Sequence, residues 1–437
     1  MAMKISYPKG FVEERSWILE TLFTDFLGIE IEIGEEEESG VYRVLLANGK
    51  SIEIDDAFFA GFEDSTSYIK EENIPDEIKW AYHDFFPEGN LPVLYGKPQI
   101  IVSSDERCVR CGIDLFAAAF FMLSRWEEAA NKNRDAHDRF PANKSLALKG
   151  NFIDRPIVNE IAETLWSMLC FLEFEGERKK RKFELIPTHD VDEIMKRTSL
   201  KKRLYKAIYS RVNPFVREYI YDTFDWLMDC SEAGGWKSRF YFMGAGKQKV
   251  KYDGRYAAND SFIVKTMKKI EQRGHECGFH PGYYTYLDYT RWMREKKRLQ
   301  RRGRGVLKSG RQHYLRFSVP ETWRIWERGG MEEDMSMGYA DHEGFCCGTG
   351  DAFRVFDCLE RRVLDLWERP LIIMDGTLTG KNYRNLDIEA SKKVIGYYVE
   401  KAKKYRMSLV ILFHTNFFHN KPEWVEYYPQ LLKESRG

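Results

Sequence analysis

Beyond a charged break at Gly176–Arg181, strand-like and helix-like segments alternate to the end of the chain, and this constrains the fold more than any other feature. The strand candidates are Leu185–His189, Arg239–Met243, Glu276–His280, His313–Phe317, Leu371–Met374 and Leu409–Phe413. Helical patterns at Asp222–Ala233, Ser261–Arg273, Pro320–Arg328 and Ile388–Lys404 separate them. Such alternation demands crossover connections and therefore a parallel sheet or barrel. Polar residues collect where these strands end, which is where α/β folds build their sites. The apolar run Leu185-Ile186-Pro187 leads into Thr188-His189-Asp190-Val191-Asp192. Alternate residues of a strand share a face, so Asp190 and Asp192 point the same way. Two adjacent carboxylates are costly unless a metal, a shared proton or a cation offsets their repulsion. The plainer alternative is an Asx turn or helix cap after the strand. His280, Asp375 and His414 stand at three further strand ends, and His313 and Arg316 occupy a fourth segment.

A chain of 437 residues exceeds one small core, so two domains are expected, residues 1–176 and 177–437. The first mixes short strands with acidic turns and is expected to fold as a separate α/β or α+β domain without catalytic residues. The apolar stretch Asp114–Glu128 reads as a buried helix that packs this domain on the second, and a further helix is expected over Pro156–Phe174. Lys+Arg and Asp+Glu are both 68, so nothing in the overall charge favours nucleic acid or an anionic membrane. No apolar run is long enough to span a bilayer, and Met1–Arg15 lacks a secretory core, which together suggest the cytoplasm. Cys108-x-x-Cys111 lacks the further ligands zinc requires, so reduced structural thiols are expected. Basic segments at Lys196–Arg211 and Arg291–Arg311 read as solvated helix faces in preference to recognition surfaces. Neither Gly348-Thr349-Gly350 nor Gly244-x-Gly246-Lys247 completes a phosphate loop.

From Phe183 to Phe418 the chain resembles the polysaccharide deacetylases, carbohydrate esterase family four, whose members share a deformed parallel barrel, the NodB homology domain. Thr188-His189-Asp190-Val191-Asp192 is similar to that family's first motif, and Gly274-His275-Glu276-Cys277-Gly278-Phe279-His280 to the lead-in of its second. Arg316 with Pro320 resembles the third motif, and Asp375 with His414 the carboxylate–histidine pair. The resemblance implies Asp190 as general base, Asp192 and His280 as ligands of a divalent metal, commonly zinc, and Arg316 as the residue holding Asp190. It also implies His414 as general acid, tuned by Asp375.

The pattern departs from the family at Tyr284, where a second histidine ligand normally stands. A neutral phenol is a poor zinc ligand. His313 is the candidate replacement and His342 the next, although strand alternation sets His313 on the opposite face from Arg316. The segment Gly338–Phe345 and the added front domain set the chain apart from the family's main body. The expected function is metal-dependent removal of N-acetyl or O-acetyl groups from an amino-sugar glycan or its precursor in surface polysaccharide biosynthesis. The alternative, prompted by Tyr284, is a catalytically idle carbohydrate-binding member of the same fold. A glycosidase using Asp190 and Asp192 is disfavoured, because neighbours on one strand do not flank a scissile bond.

Overall fold

The computed structural model of the chain describes residues 3–37, 39–194, 222–244, 250–254, 256–303, 307–419 and 421–436. The basic segment Lys196–Arg211 and the Gly246-Lys247 pair lie outside them. The fold is mixed α/β, with two main sheets that share no strand.

The first sheet has six strands: β1 (Met3–Pro8), β2 (Ile31–Glu36), β3 (Val41–Leu45), β4 (Ser51–Asp55), β7 (Gly96–Val102) and β8 (Cys108–Ile113). Their order is β2-β1-β3-β4-β8-β7, and β5 (Lys79–Tyr82) pairs with β6 (Asn90–Val93) in a separate hairpin. The helix expected over Asp114–Glu128 runs from Leu115 to Ser124, capped by the Asp114 carboxylate accepting from the Ala117 amide. It breaks at Arg125, which takes a left-handed backbone with φ 53°. Every residue of this helix is buried. It carries Phe120 against Phe356 of the second sheet, with ring centroids 5.6 Å apart, and Trp17 stacks on the same Phe356 ring at 5.0 Å. One apolar cluster therefore runs through both halves of the molecule.

The second sheet is mostly parallel, in the order β14-β15-β13-β12-β11-β10-β9-β17-β16. Its strands are β9 (Glu184–Val191), β10 (Arg239–Met243), β11 (Glu276–His280), β12 (Ser309–Gly310), β13 (Glu333–Asp334), β14 (Phe353–Asp357), β15 (Arg362–Glu368), β16 (Leu371–Met374) and β17 (Ser408–Leu412). Strand β9 lies between β10 and β17 and is buried from Leu185 to Val191, as a parallel strand covered on both faces should be. The sheet curls. Leu371 of β16 donates its amide to Met337 at 2.7 Å and Gly344 donates to Ile372 at 3.1 Å, so the chain after β13 reaches across to the far edge.

One expected strand is absent. His313–Leu315 is a single 3₁₀ turn, because Tyr314 and Leu315 take left-handed conformations with φ 62° and 52°. The paired segment is Ser309–Gly310, just upstream. Gly310 is needed there, since a Cβ would sit 2.1 Å from the Phe279 carbonyl oxygen. The basic segment before it forms the helix Tyr289–Gly303, which turns Trp292 and Leu299 into the core. Among the described residues no helix is long and apolar enough to cross a membrane.

Candidate metal centre

The C-terminal ends of β9, β11, β16 and β17 carry the polar residues. Parallel register sets Asp190 beside Tyr241 of β10, and His280 beside Met243 of the same strand. Phe413 donates its amide to Thr188 at 3.1 Å, which delivers His414 to the end of β9. Asp375 begins a short helix directly after β16.

Asp192, His280 and His313 converge, with one ligand atom of each lying within 4.8 Å of the others. His280 Nε2 is 3.2 Å and His313 Nε2 3.5 Å from Asp192 Oδ1. His280 Nδ1 donates to the Arg311 carbonyl at 2.6 Å, because a carbonyl can only accept. In the neutral ring Nε2 then holds a lone pair, aimed at a carboxylate oxygen that is also proton-free. Both His280 Nε2 and Asp192 Oδ1 are buried without a hydrogen-bond partner. Lone pairs facing each other across a gap of this size require a cation between them or a proton on one of them. His313 Nδ1 meets Asp253 Oδ1 at 3.0 Å, the backing carboxylate that commonly orients a metal-binding imidazole. Two imidazole nitrogens and one carboxylate are a donor set suited to zinc.

Electrostatics show how strongly the cluster draws positive charge. Burial pushes the His313 imidazole down, but Asp192 and Asp253 outweigh it and raise its pKa to about 9. Burial pushes Asp192 up, yet His313, His280 and His414 hold it well below the ordinary carboxylate range. His414 also resists burial, its pKa raised to about 10 by Asp375, Asp192 and Asp190. Asp375 Oδ1 takes the hydrogen of His414 Nδ1 at 2.7 Å, and Asp375 Oδ2 accepts the His414 amide at 2.8 Å. The His414 ring is thereby fixed with Nε2 facing the site, 3.6 Å from Asp192 Oδ2. Asp190 is nearly inaccessible, with its Oδ2 3.8 Å from His280 Nε2.

Arg316 does not hold Asp190. Arg311 does: its Nη1 donates to Asp190 Oδ1 at 2.9 Å and to Thr188 Oγ1 at 3.0 Å, while Nε donates to the Met335 carbonyl at 2.9 Å. The left-handed turn at Tyr314 and Leu315 carries Arg316 away from the strand ends. There its guanidinium lies 4.1 Å from the ring centroids of Tyr283 and Tyr286 and pairs with Asp138. Arg311 and Asp253 were missed in the sequence. Arg311 stands two residues before His313, a same-face spacing had the strand been placed at Ser309–Gly310. Asp253 lies in an isolated short segment with no periodic signal.

Tyr284 takes no place in the cluster. It is 39% exposed at the rim, with the Arg291 guanidinium 5.4 Å from its ring centroid. His342 is also elsewhere, accepting at Nε2 from Arg384 Nη1 at 3.0 Å. The front half reaches the rim: His137 Nδ1 lies 3.0 Å from Tyr283 Oη, and its ring is 5.0 Å from that of Tyr314. Arg139 donates to the Tyr314 carbonyl at 3.3 Å and to Tyr383 Oη at 2.9 Å. One other acidic group could be mistaken for a metal site, Glu13 with Glu14 and Asp64. All three already pair with Arg361.

Residues 3–173 match a family of unknown function, DUF7033. No curated protein matches the chain. Among solved structures, a putative polysaccharide deacetylase from Mycobacterium smegmatis aligns at 12% identity over 59% of this chain and 85% of its own, with a TM-score of 0.41. PuuE allantoinase aligns at 12% identity over 59% and 85%, with a TM-score of 0.38. A CE4 family pseudoenzyme from Bacillus anthracis, BA3943, aligns at 8% identity over 59% and 61%, with a TM-score of 0.31. Likenesses at this level say nothing about which reaction the site runs.

Proposed function

We propose that the chain is a metal-dependent deacetylase of an amino-sugar glycan or glycan precursor, built on a NodB-type deformed barrel with a separate front domain. The observation that carries this reading is the pair of buried, partnerless donors, His280 Nε2 and Asp192 Oδ1, set beside His313. These three residues would hold a divalent cation, zinc by the character of the donors. Bound there, it would supply Lewis acidity and lower the pKa of a coordinated water to about 7.

The chain's own residues would do the rest. Asp190, oriented by the Arg311 guanidinium, is placed to take a proton from an attacking water. His414 presents Nε2 to the same space, with Asp375 securing its tautomer and favouring the imidazolium. A protonated Nε2 can deliver its proton to a departing amine. The aromatic rim of Tyr283, Tyr314 and His137 offers flat faces against which a sugar ring can lie. Tyr284 was the reason to consider an idle protein, and His313 in the ligand position weakens that reason.

The test is acetate release from β-1,4-linked N-acetylglucosamine oligomers. The reading expects release that stops with a chelator and returns with added zinc. Release at full rate from a metal-free preparation would overturn it.

A further inference from the structure

We propose that a second glycan-binding site lies in the cleft between the β5–β6 hairpin and the helix Ile388–Tyr405. This cleft has a volume of about 850 Å³ and is lined from both halves of the molecule. That volume falls in the range of about 300–1,000 Å³ typical of small-ligand sites. No residue of the metal centre lines it. The segment Gly338–Phe345 forms part of its wall: Phe345 donates its amide to the Ile153 carbonyl at 2.8 Å, tying the segment to the front half. Gly344 permits that approach, since at φ 143° a Cβ would stand 2.7 Å from the same oxygen.

The chemistry of the walls selects an uncharged sugar. Tyr82 is 75% and Tyr397 41% exposed, and both line the cleft, leaving aromatic surface there for a sugar face. Most of the charges around them are matched within the protein, Lys393 and Asp154 being the lining groups without an ion pair among the described residues. Arg155 pairs with Glu160, Lys401 with Glu88 at 2.9 Å, and Arg384 with Glu343 at 3.1 Å. A multiply charged anion would have to break these pairs, whereas a neutral polyol leaves them intact. Acceptors remain available. Asp154 takes only the Tyr397 hydroxyl hydrogen, at 2.8 Å. Glu343 is 4% exposed, and its Oε2 is buried without a hydrogen-bond donor. His342 cannot satisfy it, because its Nδ1 hydrogen goes to the Glu343 carbonyl at 2.6 Å. Exposed rings with unmet acceptors suit the apolar face, hydroxyls and amide N–H of a pyranose.

This inference rests on the proposed function only in taking the ligand to be the polymer whose acetyl groups are removed. The cleft would then hold sugar units remote from the reacting one. The experiment is titration calorimetry with hexamers of β-1,4-linked N-acetylglucosamine and of β-1,4-linked glucose. The parent is the full-length Asp192→Ala chain, so that turnover does not consume the probe. We expect saturable binding of at least one hexamer, weakened about 10-fold or more by the exposed-ring double variant Tyr82→Ala/Tyr397→Ala and less by Glu343→Gln. Affinity unchanged in the double variant overturns the site, as does the absence of saturable binding of both hexamers. If acetate release fails in the unmodified protein while cleft-dependent binding persists, the deacetylase reading falls and this site stands.

Discussion

The curled sheet gathers two pairs of acidic side chains, and it treats them in opposite ways. Asp190 and Asp192 sit at the end of β9, where Arg311 pairs with Asp190 and three histidines hold Asp192 well below the ordinary carboxylate range. Asp334 and Glu368 face each other across the register of β13 and β15, where Trp323 and the Met337 amide supply only neutral donors to Glu368. Burial raises Asp334 to about 7 and lifts Glu368 well above the ordinary carboxylate range, which favours one proton held between the two. Burial of carboxylates therefore does not distinguish a site from a structural pair. An unpartnered imidazole nitrogen facing an unpartnered carboxylate oxygen does, because the two call for a cation or a proton between them.

Exchanging the cationic partner tests the first pair most severely. Arg311→Met should leave Asp190 buried and uncompensated, lowering stability by about 3–5 kcal/mol in a denaturant titration and abolishing activity. A variant of normal stability would show that Asp190 does not depend on Arg311. His414→Gln should then reduce kcat by about 10² to 10⁴, with metal content unchanged, if it protonates the leaving group. Loss of metal in that variant would instead make His414 a ligand.

The second pair is tested through pH. A carboxyl whose pKa in the fold exceeds its value in the unfolded chain binds its proton more tightly when folded. Its stabilisation is complete below about pH 4 and is lost as pH rises through about 7. Glu368→Gln keeps the shape and removes one of the two carboxyls held protonated by burial, so it should reduce that loss, by on the order of 2 kcal/mol between pH 4 and 8. Parallel stability curves for the two proteins would contradict proton sharing. The smallest effect is expected at the rim. Arg316→Met removes the pair with half-exposed Asp138 and the bonds to the His137 and Tyr283 carbonyls, costing about 1–2 kcal/mol, and should raise KM for oligomers without changing metal content.

Much of the second sheet was legible because parallel strands announce themselves as short, fully apolar runs between amphipathic helices. The structure places β10, β11 and β16 at the expected residues. The site was legible where a strand ends in a polar residue, as at Asp190, Asp192, His280, Asp375 and His414. It failed where two paired residues, Ser309 and Gly310, make the strand, since so short a run has no periodicity. The apolar alternation of His313 to Phe317 then imitated a strand, and Arg316 was assigned Arg311's place. The antiparallel β14–β15 pair was also not anticipated, since its exposed face gives Arg362–Glu368 a mixed pattern.

The central claim is that Asp192, His280 and His313 bind a divalent cation. The most direct measurement is the metal content of the purified chain and its variants by mass spectrometry after zinc loading and exhaustive dialysis. The account predicts about one equivalent in the unmodified protein, in Asp190→Asn and in Asp334→Asn, and essentially none in Asp192→Ala and His280→Ala. Full metal content in Asp192→Ala, or none in the unmodified protein, would contradict it.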